Sequence, residues 1–183
     1  MNNSGIVVSI IIAAYNASGH IARALDSCLG QTFQNFEVII INDWSTDDTL
    51  QIVEKYAERD SRFSIYSQPN AGQGVARNRA IEHAVGEFIT ILDADDELLE
   101  NFLQKLIDLA RFEKCDIAMA EYLTVNNQSE KRYYVPVMPS YPIGNISLEQ
   151  KKAVLKRAHY TVAKLYKRSL IIDNGIRYGE GYI

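Results

Sequence analysis

The sequence predicts an α/β domain with a mostly parallel sheet and helices on both faces. Three observations carry this reading. Apolar, β-branched runs alternate with helical patterns four times before residue 111, the rhythm of a layered α/β domain. Each run is apolar throughout, as strands covered on both faces are. The unusual polar residues fall where those runs end, as Tyr15-Asn16, Asn42-Asp43 and Asp93-Ala94-Asp95-Asp96. Ligands of open parallel sheets bind outside the carboxyl ends of the strands, so the coincidence points to one crevice.

The elements follow in order. Residues 6–13 form the first strand, and Ile21, Ala24, Leu25, Cys28 and Leu29 then recur at helical spacing. Residues 36–41 form the second strand. A capping-box-like Ser45…Asp48 opens a helix continuing through Leu50, Val53, Tyr56 and Ala57. Residues 63–67 read as a third strand, the Gly- and Pro-bearing stretch 69–74 as a loop, and 75–84 as a helix. After Gly86, residues 88–92 form the fourth strand. An amphipathic helix with Leu99, Phe102, Leu103, Leu106 and Ala110 on one side comes next. Beyond Asp116 the rhythm changes. Residues 117–125 and 132–137 read as strands suited to antiparallel pairing. Residues 134–144 hold three of the four prolines and read as an irregular loop. Residues 147–157, with a capping box at Ser147…Gln150, and residues 162–172 read as helices. No repeat or linker divides the chain, so residues 1–183 are expected to form a single domain.

Composition narrows the classes. The chain is 47% hydrophobic and 23% charged, ordinary for a globular domain, and no apolar run approaches the roughly 20 residues that span a bilayer. The two cysteines, Cys28 and Cys115, lack metal-ligand spacing and the density of a disulfide scaffold. Free thiols in a reducing cytoplasm are the expectation. His20, His83 and His159 are scattered and read as helix-surface or core residues. Residues 1–100 carry 6 Lys/Arg against 15 Asp/Glu, and the remainder 13 against 8. That balance argues against a nucleic-acid binder. Residues 151–168 hold Lys151, Lys152, Lys156, Arg157, Lys164, Lys167 and Arg168 with no acid. Such a stretch reads as a solvated helix face, or as a peripheral contact with anionic lipid at the inner face of a membrane or with a phosphate-bearing acceptor.

Among candidate site residues, the Asp93…Asp96 cluster is the strongest. Three carboxylates within four residues repel one another, and hard oxygen donors suit Mg²⁺ or Mn²⁺ with a diphosphate completing the shell. The plain alternative is an acidic helix N-terminus. Asp43, after the second strand, faces the same crevice or caps a helix. Tyr15 offers a flat ring to a nucleobase or is a core tyrosine. Arg77 pairs with phosphate or with the acidic cluster, or lies on the surface.

These residues stand in a specific pattern. Residues 8–16 resemble V-S-I-I-I-P-x-Y-N, residues 24–33 A-L-x-S-x-L-x-Q-T-[FY], and residues 36–49 F-E-[IV]-I-[IV]-[IV]-D-D-G-S-x-D-x-T. Asn70-Ala71-Gly72 with Ala76-Arg77-Asn78 matches N-x-G-x-x-x-A-R-N, residues 86–96 match G-[ED]-[FY]-I-x-F-L-D-[SA]-D-D, and residues 163–168 resemble x-K-L-Y-[KR]-R. In that order and over nearly the whole chain, the motifs resemble those of family 2 inverting glycosyltransferases. The resemblance implies a GT-A, Rossmann-like fold for nucleotide-diphospho-sugars. It implies nucleotide contacts at Ala13, Tyr15, Asn42, Asp43, Arg77 and Asp93, with Tyr15 and Asp43 at the base and Asp93 near the ribose. Asp95 and Asp96 would hold the divalent metal at the diphosphate. Residues 1–100 would be the nucleotide-binding part and 101–183 the start of an acceptor-side part.

The implied reaction moves a sugar from a nucleotide-sugar donor, read as a UDP-sugar, to a glycan or lipid-linked acceptor. The chain departs from the pattern in several places. Ala13 stands for a common proline, Asn42 for the first aspartate of the D-D pair, and Trp44 for a glycine that takes φ > 0 freely. The indole would cover the nucleotide pocket, or the loop would be rearranged. An acidic pair whose aspartate serves as general base is expected beyond Ile183, and Glu180 is not at its position. The alternative is a chain that binds nucleotide without turnover. A receiver-like domain would need acids after the first strand, where Tyr15-Asn16 stands. A dinucleotide oxidoreductase would need G-x-G-x-x-G there.

Overall fold

The computed structural model describes residues 5–120, 122–125, 132–135 and 161–179. The first four strands are β1 (Val8–Ala14), β2 (Phe36–Asn42), β3 (Phe63–Ser67) and β4 (Phe88–Ile91). Between and after them run α1 (Ile21–Leu29), α2 (Thr49–Arg59), α3 (Gln73–His83) and α4 (Phe102–Glu113). Further along come β5 (Ile117–Met119), β6 (Tyr122–Val125), β7 (Arg132–Val135), β8 (Lys164–Lys167) and α5 (Arg168–Asp173).

The main sheet has the order β3-β2-β1-β4-β8-β5. β1 pairs in parallel with β2 and β4, and β2 with β3, while β8 runs antiparallel to both neighbours. The period of two along each strand sorts side chains onto two faces. Val8, Ile10, Ile12, Val38 and Ile40 pack beneath α1, α2 and α4. Ile11, Ile39 and Ile41 pack beneath Ala76, Ala80 and Ile81 of α3 and Ile171 of α5. Both faces are covered, which is why β1 and β2 read as unbroken apolar runs. Ser9 in β1 and Glu37 in β2 are polar exceptions, and they meet each other. The Ser9 hydroxyl donates to Glu37 Oε1 at 2.6 Å and accepts from Gly86 N at 2.9 Å. A Cβ on Gly86 would lie 2.7 Å from Ser9 N, so only glycine fits this crossing.

Several expectations are corrected. Residues 162–172 are not one helix: Ala163 takes φ +56, Lys164–Lys167 form β8, and only Arg168–Asp173 is helical. Thr90↔Leu165 and Ile89↔Tyr166 pairing against β4 overrides the helical spacing. The run expected as one strand over 117–125 divides into β5 and β6, which belong to different sheets. Leu99, expected on the buried side of a helix, is 67% exposed and precedes α4. The capping box at Ser45…Asp48 does not form. Asp48 makes no capping bond, and Asp47 instead accepts from Thr49 N at 3.0 Å. The basic stretch 151–168 is described only from 161. There Lys164 is buried and Lys167 pairs with Asp116 at 3.4 Å. The expected helix over 147–157, His159 and most of the loop 134–144 lie outside the described residues. His83 stacks on Tyr66 with ring centroids 3.8 Å apart, and both cysteines are free. No described helix is long and apolar enough to cross a membrane.

Candidate functional site

The carboxyl ends of β1, β2 and β4 meet at a cavity of about 580 Å³, within the range of small-molecule sites. Ala13 to Ala17 and His20 form one wall, Asp43, Asn70, Gly72 and Gln73 a second, and Asp93, Ala94 and Asp95 a third.

The first wall depends on a turn. Asn16 takes φ +48 just past β1, a conformation asparagine tolerates better than most residues. Its Oδ1 accepts from Thr46 N at 2.8 Å, and its own N–H donates to Ser45 Oγ at 3.0 Å. Ala17 N donates to Thr49 Oγ1 at 2.7 Å and Ser18 N to Asp47 Oδ2 at 3.0 Å. The loops after β1 and β2 are thereby stitched together. The Thr49 hydroxyl also donates to Asp47 Oδ1 at 2.5 Å, and this bond first, with those from Ser18, holds the Asp47 carboxyl well below the usual range. Tyr15 leaves this wall 53% exposed.

Asp43 organises the second wall. It is 3% exposed, and its carboxylate accepts from Gln68 Nε2 at 2.8 Å, Ala71 N at 3.0 Å and Gly72 N at 2.9 Å. The bonds fix the loop between β3 and α3, where Gly72 takes φ +87. Asn42, directly before it, is 4% exposed. Its Oδ1 accepts from Ser45 N at 3.2 Å and its Nδ2 donates to Ser67 Oγ at 3.4 Å. The first of these spans Trp44, which adopts φ +64 and stays 62% exposed. The loop thus keeps Asp43 at the cavity although Trp44 stands where glycine would relax the backbone.

At the third wall Arg77, from α3, donates to Asp93 Oδ1 at 2.6 Å. Of the outcomes open to Arg77, the structure shows pairing with the acidic cluster. Asp95 is exposed and lines the cavity. Burial, then the charges of Asp93 and Asp95, push the Asp96 carboxyl above its ordinary value.

The structure therefore gathers Ala13, Tyr15, Asp43, Asp93 and Asp95 on one cavity. Asn42, Arg77 and Asp96 lie behind or beside its wall. Asn16 lies where the polar strand ends place the crevice, whereas Ala14, Ala17, His20, Asn70, Gly72 and Gln73 are wall residues that the sequence reading does not single out. The rule that placed the crevice at strand ends also covers the loops after β1 and β3, and could have found them.

No group of three or more His, Cys, Asp or Glu side chains poised for a metal occurs among the described residues. Mg²⁺ and Mn²⁺ nonetheless suit one or two carboxylates with phosphate oxygens supplying the rest. Asp95 on the cavity, with Asp96 strained by its acidic neighbours, fits such a partial donor set.

Comparison with known proteins agrees with this geometry. The model of glycosyl transferase family 2 matches residues 9–175. The uncharacterized glycosyltransferase YibD of Escherichia coli K12 is 31% identical over 99% of this chain and 54% of its own length. The cholesterol galactosyltransferase of Borreliella burgdorferi is 31% identical over 93% of this chain and 50% of its own. The chain thus spans about half the length of the curated relatives it matches. Among solved structures, S. aureus TarS 1–349 in complex with UDP-GlcNAc superposes with a TM-score of 0.81 at 28% identity, covering 96% of this chain and 49% of that one. The mannosyltransferase PcManGT from Pyrobaculum calidifontis shares the fold, with a TM-score of 0.67 at 20% identity. With a family match over most of its length and a GT-A sheet whose strand ends converge on one cavity, the chain belongs to glycosyl transferase family 2.

Proposed function

We propose that this chain binds the donor of an inverting glycosyltransferase, a UDP-sugar, in the cavity between Tyr15 and Asp95. One observation carries the reading: the cavity runs from an exposed aromatic ring at the end of β1 to the carboxylates of Asp93 and Asp95 at the end of β4, with Asp96 beside them. A nucleoside diphosphate has the matching polarity, with a flat base at one end and anionic oxygens that recruit a cation at the other. The complexes of TarS with UDP-GlcNAc and of PcManGT with GDP-Man and Mn²⁺ support that direction.

In this reading the ring of Tyr15 lies against the base. Asp43 holds loop 70–72 at the base end, and Asp93 reaches the ribose with Arg77 behind it. Asp95 and Asp96 would hold Mg²⁺ or Mn²⁺, which would stabilise negative charge on the leaving diphosphate. An acceptor hydroxyl attacks the anomeric carbon from the side opposite the diphosphate; the carbon–oxygen bond to the diphosphate breaks as the glycosidic bond forms, and the hydroxyl proton passes to a general base. Asp43 and Asp93 are occupied by protein donors, so neither is assigned as the base for that hydroxyl. Residues 1–100 form the nucleotide part and residues 101–183 begin the acceptor side, where a glycan or lipid-linked acceptor would bind.

Calorimetry with UDP, GDP and ADP, each with and without Mn²⁺, tests this. UDP should bind tightest, and Mn²⁺ should strengthen it. Equal weak binding of all three would overturn the base assignment, and indifference to Mn²⁺ the role of Asp95 and Asp96.

A further inference from the structure

A segment distant in sequence lies across α3, directly behind the acidic wall. The side-chain amide of Asn78 grips the backbone of Tyr178 from both sides. Its Nδ2 donates to Tyr178 O at 3.0 Å, and its Oδ1 accepts from Tyr178 N at 2.8 Å. One helix side chain thus pairs with the segment as a strand neighbour would. A Cβ on Gly74 would collide with the carbonyl oxygen of Gly179, so glycine there admits the chain. Arg177 pairs with Glu82 at 3.0 Å on the outer side.

The grip sets the Tyr178 ring against Arg77, whose guanidinium carbon lies 5.2 Å from the ring centroid. Arg77 is 9% exposed and donates Nη2 to Asp93, while its buried Nε has no hydrogen-bond partner among the described residues. The hydrogen bond to Asp93 alone does not fix the plane of the guanidinium. The aromatic face is the second contact that fixes its plane. Asp93, at the far end of this relay, lines the cavity.

We infer that Tyr178 is a positioning residue for the donor cavity, holding Arg77 against Asp93 so that the Asp93 carboxylate is presented to the nucleotide. This rests on the donor-site reading and deepens it. The docked segment and the cavity are coupled through two side chains, and the coupling is reciprocal: nucleotide on Asp93 tightens the hold on Tyr178.

The test uses the whole chain and UDP titrated by calorimetry. Tyr178→Leu keeps apolar bulk without a π face. Tyr178→Phe keeps the ring and loses only the hydroxyl. The Leu variant should weaken UDP binding about fivefold or more, and the Phe variant should restore affinity to within about twofold of wild type. In an Asp93→Asn background the Leu substitution should have little further effect, because its route to the ligand is already cut. Equal weakening in both backgrounds, or a Phe variant as impaired as the Leu variant, would overturn the proposal. A readout without nucleotide separates it from the donor reading. Nitrogen-15 relaxation at Arg77 Nε should show a rigid side chain in wild type and in Tyr178→Phe, and a mobile one in Tyr178→Leu. If wild type binds no UDP, the donor reading fails while the relaxation result still decides the positioning role. A rigid Arg77 in Tyr178→Leu sinks it.

Discussion

At the end of β2 one carboxylate meets three N–H donors, whereas at the end of β4 three carboxylates crowd together and Arg77 answers Asp93. Asp43 is buried with its hydrogen bonds complete, and it binds the loop between β3 and α3 into the cavity wall. Asp95 stands open on the cavity, and Asp96 carries the repulsion of its neighbours. The contrast separates two uses of the same side chain. A carboxylate satisfied by backbone and side-chain N–H donors builds the site, and a cluster short of positive charge retains affinity for a cation.

Breaking the finished end should have the larger effect. Asp43→Ala leaves Gly72 N, Ala71 N and Gln68 Nε2 without their acceptor. Stranding buried donors costs roughly 1–3 kcal/mol each where water cannot reach them. The expected loss is about 3 kcal/mol in urea unfolding, with UDP binding weakened as the loop loosens. A loss below about 1 kcal/mol would show that the loop is held by other means, and the contrast would collapse.

The unfinished end should respond in the opposite direction. Asp96→Asn removes a charge that burial and two acidic neighbours disfavour, so stability near neutral pH should hold or rise. The group is half-exposed, and screening keeps any gain under about 1 kcal/mol. A carboxyl raised on folding contributes stability below its ordinary pKa, and that contribution is lost as pH rises through the raised value. Wild type should therefore trail Asp96→Asn near pH 7 and draw level as pH falls toward the ordinary aspartate range. A gap that stays constant on acidification would refute the repulsion. Loss of the Mn²⁺ effect on UDP binding in the variant would tie the relieved charge to the cation.

The same two ends show what a sequence can disclose. The parallel core was legible because β1 and β2 are covered on both faces, which forces unbroken runs such as Ile10-Ile11-Ile12 and Ile39-Ile40-Ile41. The crevice was legible because polar residues cluster at the carboxyl ends of the strands, as Tyr15-Asn16, Asn42-Asp43 and Asp93…Asp96. Long-range partners were not. Nothing local in Asp43 reports that its acceptors serve Ala71 and Gly72, and nothing near Tyr178 reports Asn78, whose sequence separation is 100. β8 was misread for a related reason. Val162, Leu165 and Ile172 can be placed on a helix, but Leu165 opposite Thr90 completes a sheet, and Thr90 Oγ1 donates to Lys164 O at 2.8 Å. Nothing in the sequence around His20 marks it as more than a helix residue, yet it sits at the start of α1 against the cavity.

Trp44 gives the smallest expected effect and sharpens the account of the β2 end. A left-handed backbone costs a β-carbon-bearing residue about 1–2 kcal/mol, and Trp44 takes φ +64 with most of its ring in solvent. Little burial offsets that strain. Asn42, Ser45 and Asn16 impose the turn through hydrogen bonds that do not involve the indole. Glycine would adopt the same backbone without strain, while its freer unfolded chain returns about 0.5–1 kcal/mol. Trp44→Gly should therefore stabilise the protein by about 0.5 kcal/mol, read by urea unfolding. UDP affinity should stay within about twofold of wild type, because the cavity wall passes through Asp43 and not through Trp44. Trp44 is the chain's single tryptophan, so its emission should remain that of an exposed indole when UDP is added. A marked emission change in wild type, with about a tenfold loss of affinity in the glycine variant, would mean that the indole folds over the bound base. The strain at Trp44 would then serve ligand binding, and the end of β2 would be less finished than its hydrogen bonds indicate.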